Sequence, residues 1–164
     1  MEFSLKGFEP IIPNNAKILI LGSFPGVQSL VKQEYYAHPQ NQFWKILFEL
    51  LKAEFSTNYT IRQKLLHENH IAIWDVIDTC QRKGSLDVDI RKEAENNIKD
   101  LLEEHSTIKA LFCNGQKSYK NLIKIMGTSS EIPIYALPST SPAHASMKKE
   151  EKLEQWKIIL DFLM

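Results

Sequence analysis

Lys17-Ile18-Leu19-Ile20-Leu21-Gly22-Ser23-Phe24-Pro25-Gly26 decides how this chain is read. An uninterrupted aliphatic run ends in a turn of Gly, Ser, Pro and Gly, the pattern of a strand buried on both faces. Gly carries no side chain and Pro fixes the chain direction, so such a turn brings bare backbone N–H groups close to a ligand. Short apolar runs with β-branched or aromatic content recur at 71–76, 108–113 and 132–137 and predict three more strands.

Helical spacing fills the gaps. Phe43, Ile46, Leu47, Leu50 and Leu51 make one apolar stripe, and Leu153, Trp156, Ile159, Leu160 and Leu163 make another near the carboxyl end. Ile90, Ala94, Ile98, Leu101 and Leu102 predict a single amphipathic helix beginning at Ile90. Residues 62–68 and 118–126 are weaker helix candidates, and the Pro/Asn-rich 10–15 stretch reads as a lead-in loop. Strands alternating with helices predict an α/β fold, a three-layer α/β/α sandwich around a central four-stranded, largely parallel sheet. Ligands bind beyond the carboxyl ends of such strands. Here those ends carry 22–26, Trp74-Asp75, Asn114-Gly115 and 137–142, which should converge on one edge.

At 164 residues and 43% hydrophobic content, the whole chain, 1–164, is expected to be one domain. No apolar run approaches the roughly 20 residues that span a bilayer, and Met1-Glu2-Phe3-Ser4 has no charged segment followed by an apolar one, so a cytoplasmic protein is expected. Cys80 and Cys113 adjoin apolar positions without metal-ligand spacing and read as reduced core thiols. Zero net charge argues against holding a polyanion by bulk electrostatics, without excluding DNA. Lys117, Lys120 and Lys124 share a helical face that reads as solvated rather than as a dedicated basic patch.

Three stretches together carry a resemblance. Gly22-Ser23-Phe24-Pro25-Gly26, His38-Pro39-Gln40-Asn41-Gln42-Phe43-Trp44 and Leu137-Pro138-Ser139-Thr140-Ser141-Pro142-Ala143-His144 resemble motifs of the uracil-DNA glycosylase superfamily, and within it most closely the hypoxanthine-DNA glycosylase branch. The likeness runs from about residue 19 to 144. Mismatch-specific relatives carry Asn where this chain has Phe24, and classical uracil enzymes open the second motif with His where this chain has Leu137. The hypoxanthine branch shares both departures and is thought to use the Asn of the His-Pro-x-Asn stretch, which maps onto Asn41. Two cysteines do not supply the four ligands of the superfamily's iron–sulfur families, and no metal or organic cofactor is required.

The resemblance implies a monofunctional glycosylase that releases deaminated bases, chiefly hypoxanthine, from DNA. No lysine in the motifs is placed to form a Schiff base, so no lyase step is expected. Asn41 is the catalytic candidate, because an amide accepts a hydrogen bond from water through its oxygen and donates to the departing base through its nitrogen. Backbone N–H groups of the turn at 23–26 would support charge growing on the base, with Gly22, Ser23 and Phe24 as base-binding residues. An extruded base also needs an aromatic platform. Phe43 is the first candidate, with core packing as its alternative; Phe24 and Tyr36 stand behind it, and Trp44 is assigned to the core.

Asp75 stands where uracil enzymes of the superfamily carry a base-reading Asn and is expected to accept the N1–H of hypoxanthine, the alternatives being a local cap or an ion pair with Arg82. Ser139, Thr140 and Ser141 are expected to hold phosphates. His144 is expected to act as a wedge in the minor groove or simply to be solvated. His38 would orient Asn41, touch phosphate or cap a helix; Asn114-Gly115 reads as a plain turn, with a role in shaping the pocket as its alternative. The expected partner is DNA with deaminated bases, with no membrane, no obligate protein partner and a monomeric state. Two other readings stay open: a mismatch-specific uracil-DNA glycosylase, and a catalytically silent DNA-binding or nucleotide-binding module.

Overall fold

Every residue of Ile18–Gly22 is buried, as a strand without one polar side chain requires, and the rest of the chain is arranged around it. A computed structural model describes residues 4–127 and 130–164. Its strands are β1 (Leu5–Lys6), β2 (Ile18–Gly22), β3 (Ile71–Asp75), β4 (Ile77–Gln81), β5 (Arg91–Glu95), β6 (Ala110–Asn114) and β7 (Ile134–Leu137). Its helices are α1 (Val27–Lys32), α2 (Phe43–Leu50), α3 (Tyr59–Glu68), α4 (Ile98–Glu104), α5 (Gln116–Met126) and α6 (Lys149–Trp156).

Strands β3, β2, β6 and β7 form the expected parallel four-stranded sheet in that spatial order. Successive side chains of a strand point to opposite faces, so β2 feeds two cores. Ile18 and Ile20 pack with α2, α3 and α6 residues such as Phe48, Leu66 and Trp156. Leu19 and Leu21 pack on the other face with Ile98, Leu101 and Leu122 of α4 and α5. Burying a large aliphatic side chain is worth roughly 1.5–3 kcal/mol, which makes β2, like the equally buried β6, a major source of the sheet's stability. The lead-in loop is not wholly irregular: Ile11 bridges Ile73 in both directions at 3.0 Å and covers the edge of β3.

The register places the site. Gly22 stands opposite Asp75, and Asn114 opposite Leu137, so the carboxyl ends of all four strands finish side by side.

The helix expected from Ile90 is not formed as such. Arg91–Glu95 is an exposed strand paired antiparallel with β4, and the helix starts only at Ile98, where Asn97 Oδ1 accepts the Asp100 N–H at 3.1 Å. Ile90 and Ala94 fit a helical period, but long-range pairing with β4 overrides that local pattern. With β1 on the other side of β4, this makes a second, three-stranded antiparallel sheet that the apolar pattern did not reveal. The carboxyl-terminal stripe is α6 continued by a 3-10 turn at Lys157–Phe162. Among the described residues no helix is long and apolar enough to cross a membrane. Cys80 and Cys113 are buried free thiols.

Candidate active site

The four strand ends open onto one cavity of about 420 Å³. The glycine turn after β2, Asp75, Asn114, the loop after β7, and both His38 and Asn41 line it, so the segments expected to converge do so.

Gly22, Asp75 and Tyr36 make its floor. A β-carbon on Gly22 would lie 2.5 Å from Asp75 Oδ1 and 2.9 Å from the Tyr36 hydroxyl, so only glycine leaves both oxygens in place. The carbonyls of Gly22 and Ser23 accept from Val76 and Ile77 at 2.9 and 3.1 Å, which ties the turn to the exit of β3. Asp75 is 4% exposed and its Oδ2 has no hydrogen-bond partner. Burial pushes this carboxyl up to about 7, the Asp87 carboxylate adds to the rise, and the Arg82 guanidinium opposes it. The ion pair with Arg82 does not form: Arg82 donates to the carbonyls of Gly84 and Pro25 at 2.6 and 2.7 Å and acts on Asp75 only through its field.

Asn41 forms the side wall. Its N–H donates to the His38 carbonyl at 2.9 Å, and its Oδ1 accepts the Phe43 N–H at 2.9 Å, an Asx turn leading into α2. No described residue accepts from its Nδ2, and the amide oxygen keeps its second lone pair. His38 Nδ1 accepts from the Gln40 N–H at 3.0 Å, which makes it a brace for the same turn. The Gln42 N–H donates to the Thr140 carbonyl at 3.0 Å and joins this wall to the opposite loop.

That loop is held from below. Asn114 Oδ1 accepts the Thr140 N–H and Asn114 Nδ2 donates to Thr140 Oγ1, both at 2.9 Å, so Asn114 is a buried latch and not a plain turn residue. Thr140 itself is 1% exposed with its hydroxyl engaged, which corrects the expectation that it faces phosphate. Ser139 and Ser141 stay half-exposed on the cavity rim; their Oγ atoms accept the N–H groups of Ser141 and Ala143 at 3.1 and 3.2 Å and keep their own protons to donate. His144 lies on the rim, and the buried Lys152 of α6 donates to its carbonyl at 2.8 Å.

Phe43 is the second correction. It is 1% exposed, stacked on Tyr36 at 4.0 Å and enclosed by the edges of Trp44 and Trp156. It starts α2 on the face that α2 must bury, so it backs the aromatic surface without reaching the cavity. Phe24 and Tyr36 are the aromatics of that set that line it, and Arg82 lies over the Phe24 ring at 5.3 Å. Trp44 is core, as expected.

The wall that sequence reasoning missed comes from the turn between β4 and β5. Ser23 Oγ donates to Asp87 Oδ1 at 2.7 Å, and the Val27 N–H donates to Ser85 Oγ at 2.9 Å, which folds this turn against the glycine turn. The available signal was the Arg82-Lys83-Gly84-Ser85 stretch, where a glycine and a serine follow two basic residues. Lys117, in turn, is committed to Glu93 at 2.5 Å, away from any basic rim.

A family model described as the uracil DNA glycosylase superfamily matches residues 9–163. The chain belongs to the uracil DNA glycosylase superfamily. Two relatives are each described as a hypoxanthine DNA glycosylase. The protein from Methanosarcina barkeri is 37% identical over 150 residues, covering 90% of this chain and 92% of the relative. The one from Methanosarcina acetivorans is 32% identical over 157 residues, covering 94% and 96%. The solution NMR structure of a candidate uracil DNA glycosylase from Methanosarcina acetivorans superposes with a TM-score of 0.81 at 31% identity, over 98% of this chain and 99% of that one. In this superfamily member the three quoted motifs therefore meet around one cavity, at the strand ends where α/β sheets bind ligands.

Proposed function

We propose that the protein is a monofunctional DNA glycosylase that hydrolyses the N-glycosidic bond of deaminated bases, chiefly hypoxanthine. The observation that carries this reading is that Asn41, with an uncommitted Nδ2, and Asp75, with an unpartnered Oδ2, line the same cavity. The two relatives described as hypoxanthine DNA glycosylases support the substrate.

Cleaving a purine–sugar bond builds positive charge on the sugar and negative charge on the leaving base. Asn41 Oδ1 accepts from the attacking water with its free lone pair while Nδ2 donates toward the base, and the Phe43 N–H fixes the amide plane that makes this possible. The turn at Gly22, Ser23 and Phe24, pinned through its carbonyls, supplies preorganised N–H groups for the charge that develops on the base. Asp75 faces N1, where hypoxanthine offers a donor and adenine a lone pair, so the carboxyl once ionised accepts from one and repels the other. Phe24 and Tyr36 supply the aromatic walls, and Ser139, Ser141 and His144 on the rim meet the DNA backbone and groove.

The test is a panel of duplexes containing deoxyinosine, deoxyxanthosine, deoxyuridine or intact bases, scored by alkaline cleavage at abasic products. Hypoxanthine release ahead of the others is expected. Faster uracil release overturns the substrate, and binding without release of any base overturns the activity.

A further inference from the structure

We propose that the Tyr36 hydroxyl is a specificity determinant that donates a hydrogen bond to the exocyclic oxygen of the extruded purine, beside the acceptor Asp75 offers to its ring N–H. The inference rests on the glycosylase reading above and adds a residue to it.

Buried polar atoms are paired in folded proteins, and one left over needs a reason. Among the described residues four buried side-chain atoms have no hydrogen-bond partner: Tyr36 Oη, Asp75 Oδ2, Gln42 Oε1 and Arg82 Nη1. Only Tyr36 and Asp75 of these residues line the cavity. A phenol is a donor and a carboxyl oxygen an acceptor. Both oxygens close over the α-carbon of Gly22, where an added β-carbon would lie 2.9 Å from the Tyr36 hydroxyl and 2.5 Å from Asp75 Oδ1, so donor and acceptor are neighbours. A donor beside an acceptor matches the lactam edge of hypoxanthine, whose N1–H and O6 are neighbours. Adenine reverses both partners.

The hydroxyl is held in position. Phe43 stacks on the Tyr36 ring at 4.0 Å with 23° between planes. Tyr36 has a φ of 53°, and it is the only described non-glycine residue with positive φ that lines the cavity. Left-handed backbone at a bulky residue is strained and persists where surrounding structure imposes it. Asn114 sits close enough to favour the ionised phenol, but its Nδ2 is directed to Thr140 Oγ1 and the Tyr36 hydroxyl is left without a hydrogen-bond partner. Burial pushes the phenol well above its ordinary range, so it stays protonated and able to donate.

The experiment compares Tyr36→Phe with wild type in single-turnover excision from duplexes carrying deoxyinosine or its 6-thio analogue, which keeps N1–H but replaces O6 with a poor acceptor. Wild type should favour the oxo base, and Y36F should slow deoxyinosine release by about ten- to a hundredfold while the oxo-over-thio preference collapses toward one. An unchanged preference in Y36F, whatever its absolute rate, overturns the proposal, because a merely structural role slows both substrates alike. If Y36F does not fold, wild type alone decides: no preference for the oxo base refutes the hydroxyl as a donor. A wild type that releases neither base removes the glycosylase reading as well, whereas a wild type active on deoxyinosine and matched by Y36F removes only the hydroxyl.

Discussion

Gly22 and Asp75 are register partners at the ends of adjacent parallel strands, and the carboxylate of one occupies the space where the other would carry a side chain. The glycine is thus required by the carboxyl and not by its own backbone. Gly22→Ala places a methyl 2.5 Å from Asp75 Oδ1 and 2.9 Å from the Tyr36 hydroxyl, both buried and unable to swing into solvent. Overpacking of this kind costs about 1–3 kcal/mol. The variant should fold with a lowered melting temperature and lose most base excision; full activity would refute the role given to the floor.

Asp75 makes stability depend on pH in an unusual direction. The folded protein holds this proton up to about 7, against an ordinary 3.8, so between those values the native state binds more protons than the unfolded chain. Stability contributed by this group is therefore present below the lower value and falls as pH rises through the window. The full displacement corresponds to at most about 4 kcal/mol. Asp75→Asn should flatten the melting temperature against pH from 4 to 8 and be the more stable protein at pH 8. Equal slopes for the two proteins would contradict a buried, proton-holding carboxyl.

Asn41 joins a structural bond to a chemical one, and two substitutions separate them. Asn41→Asp keeps an oxygen for the Phe43 N–H but loses the Nδ2 donor; Asn41→Ala loses both. By analogy with preorganised amide donors, both should cut single-turnover excision by about 100- to 1000-fold, with only the alanine variant also losing about 1 kcal/mol of stability. A folded Asn41→Ala protein at wild-type rate would remove Asn41 from catalysis.

Asn114 holds the rim loop through both ends of its amide. Asn114→Ala leaves the Thr140 N–H and hydroxyl buried without partners, at about 1–3 kcal/mol. Loosening 139–144 should raise KM for duplex substrate more than it lowers kcat, since the loop carries Ser139, Ser141 and His144 rather than the amide facing the bond. The reverse split, measured in steady state, would assign Asn114 to the chemical step.

How far the sequence carried the reading depends on the range of the interaction concerned. Strands β2, β3, β6 and β7 and helix α2 were legible because a buried strand must be continuously apolar and a half-buried helix must be striped; such requirements are written within a few residues. The meeting of Gly22, Asp75 and Ser139 at one edge followed from the alternation of strands and helices, whereas Asn41 was brought to it by the resemblance carried by its His-Pro-x-Asn stretch. Strand β5 was not legible, because Arg91–Glu95 buries no side chain and exists only through its pairing with β4. Thr140 and Phe43 were misplaced for a related reason: a hydroxyl or a ring in a motif has the same letter whether it faces the ligand or the interior.

The sequence by itself determined the sheet and the glycine turn at the end of its central strand, since each follows from local composition and spacing, and the amide at position 41 was singled out by the resemblance of its motif. Tertiary structure alone decided that Tyr36 and not Phe43 reaches the cavity, that Asp75 is left without a partner, and that the turn after β4 closes one wall. Those outcomes depend on which atoms compete for the same buried space and the same hydrogen bonds, and that competition takes place between residues far apart in the chain.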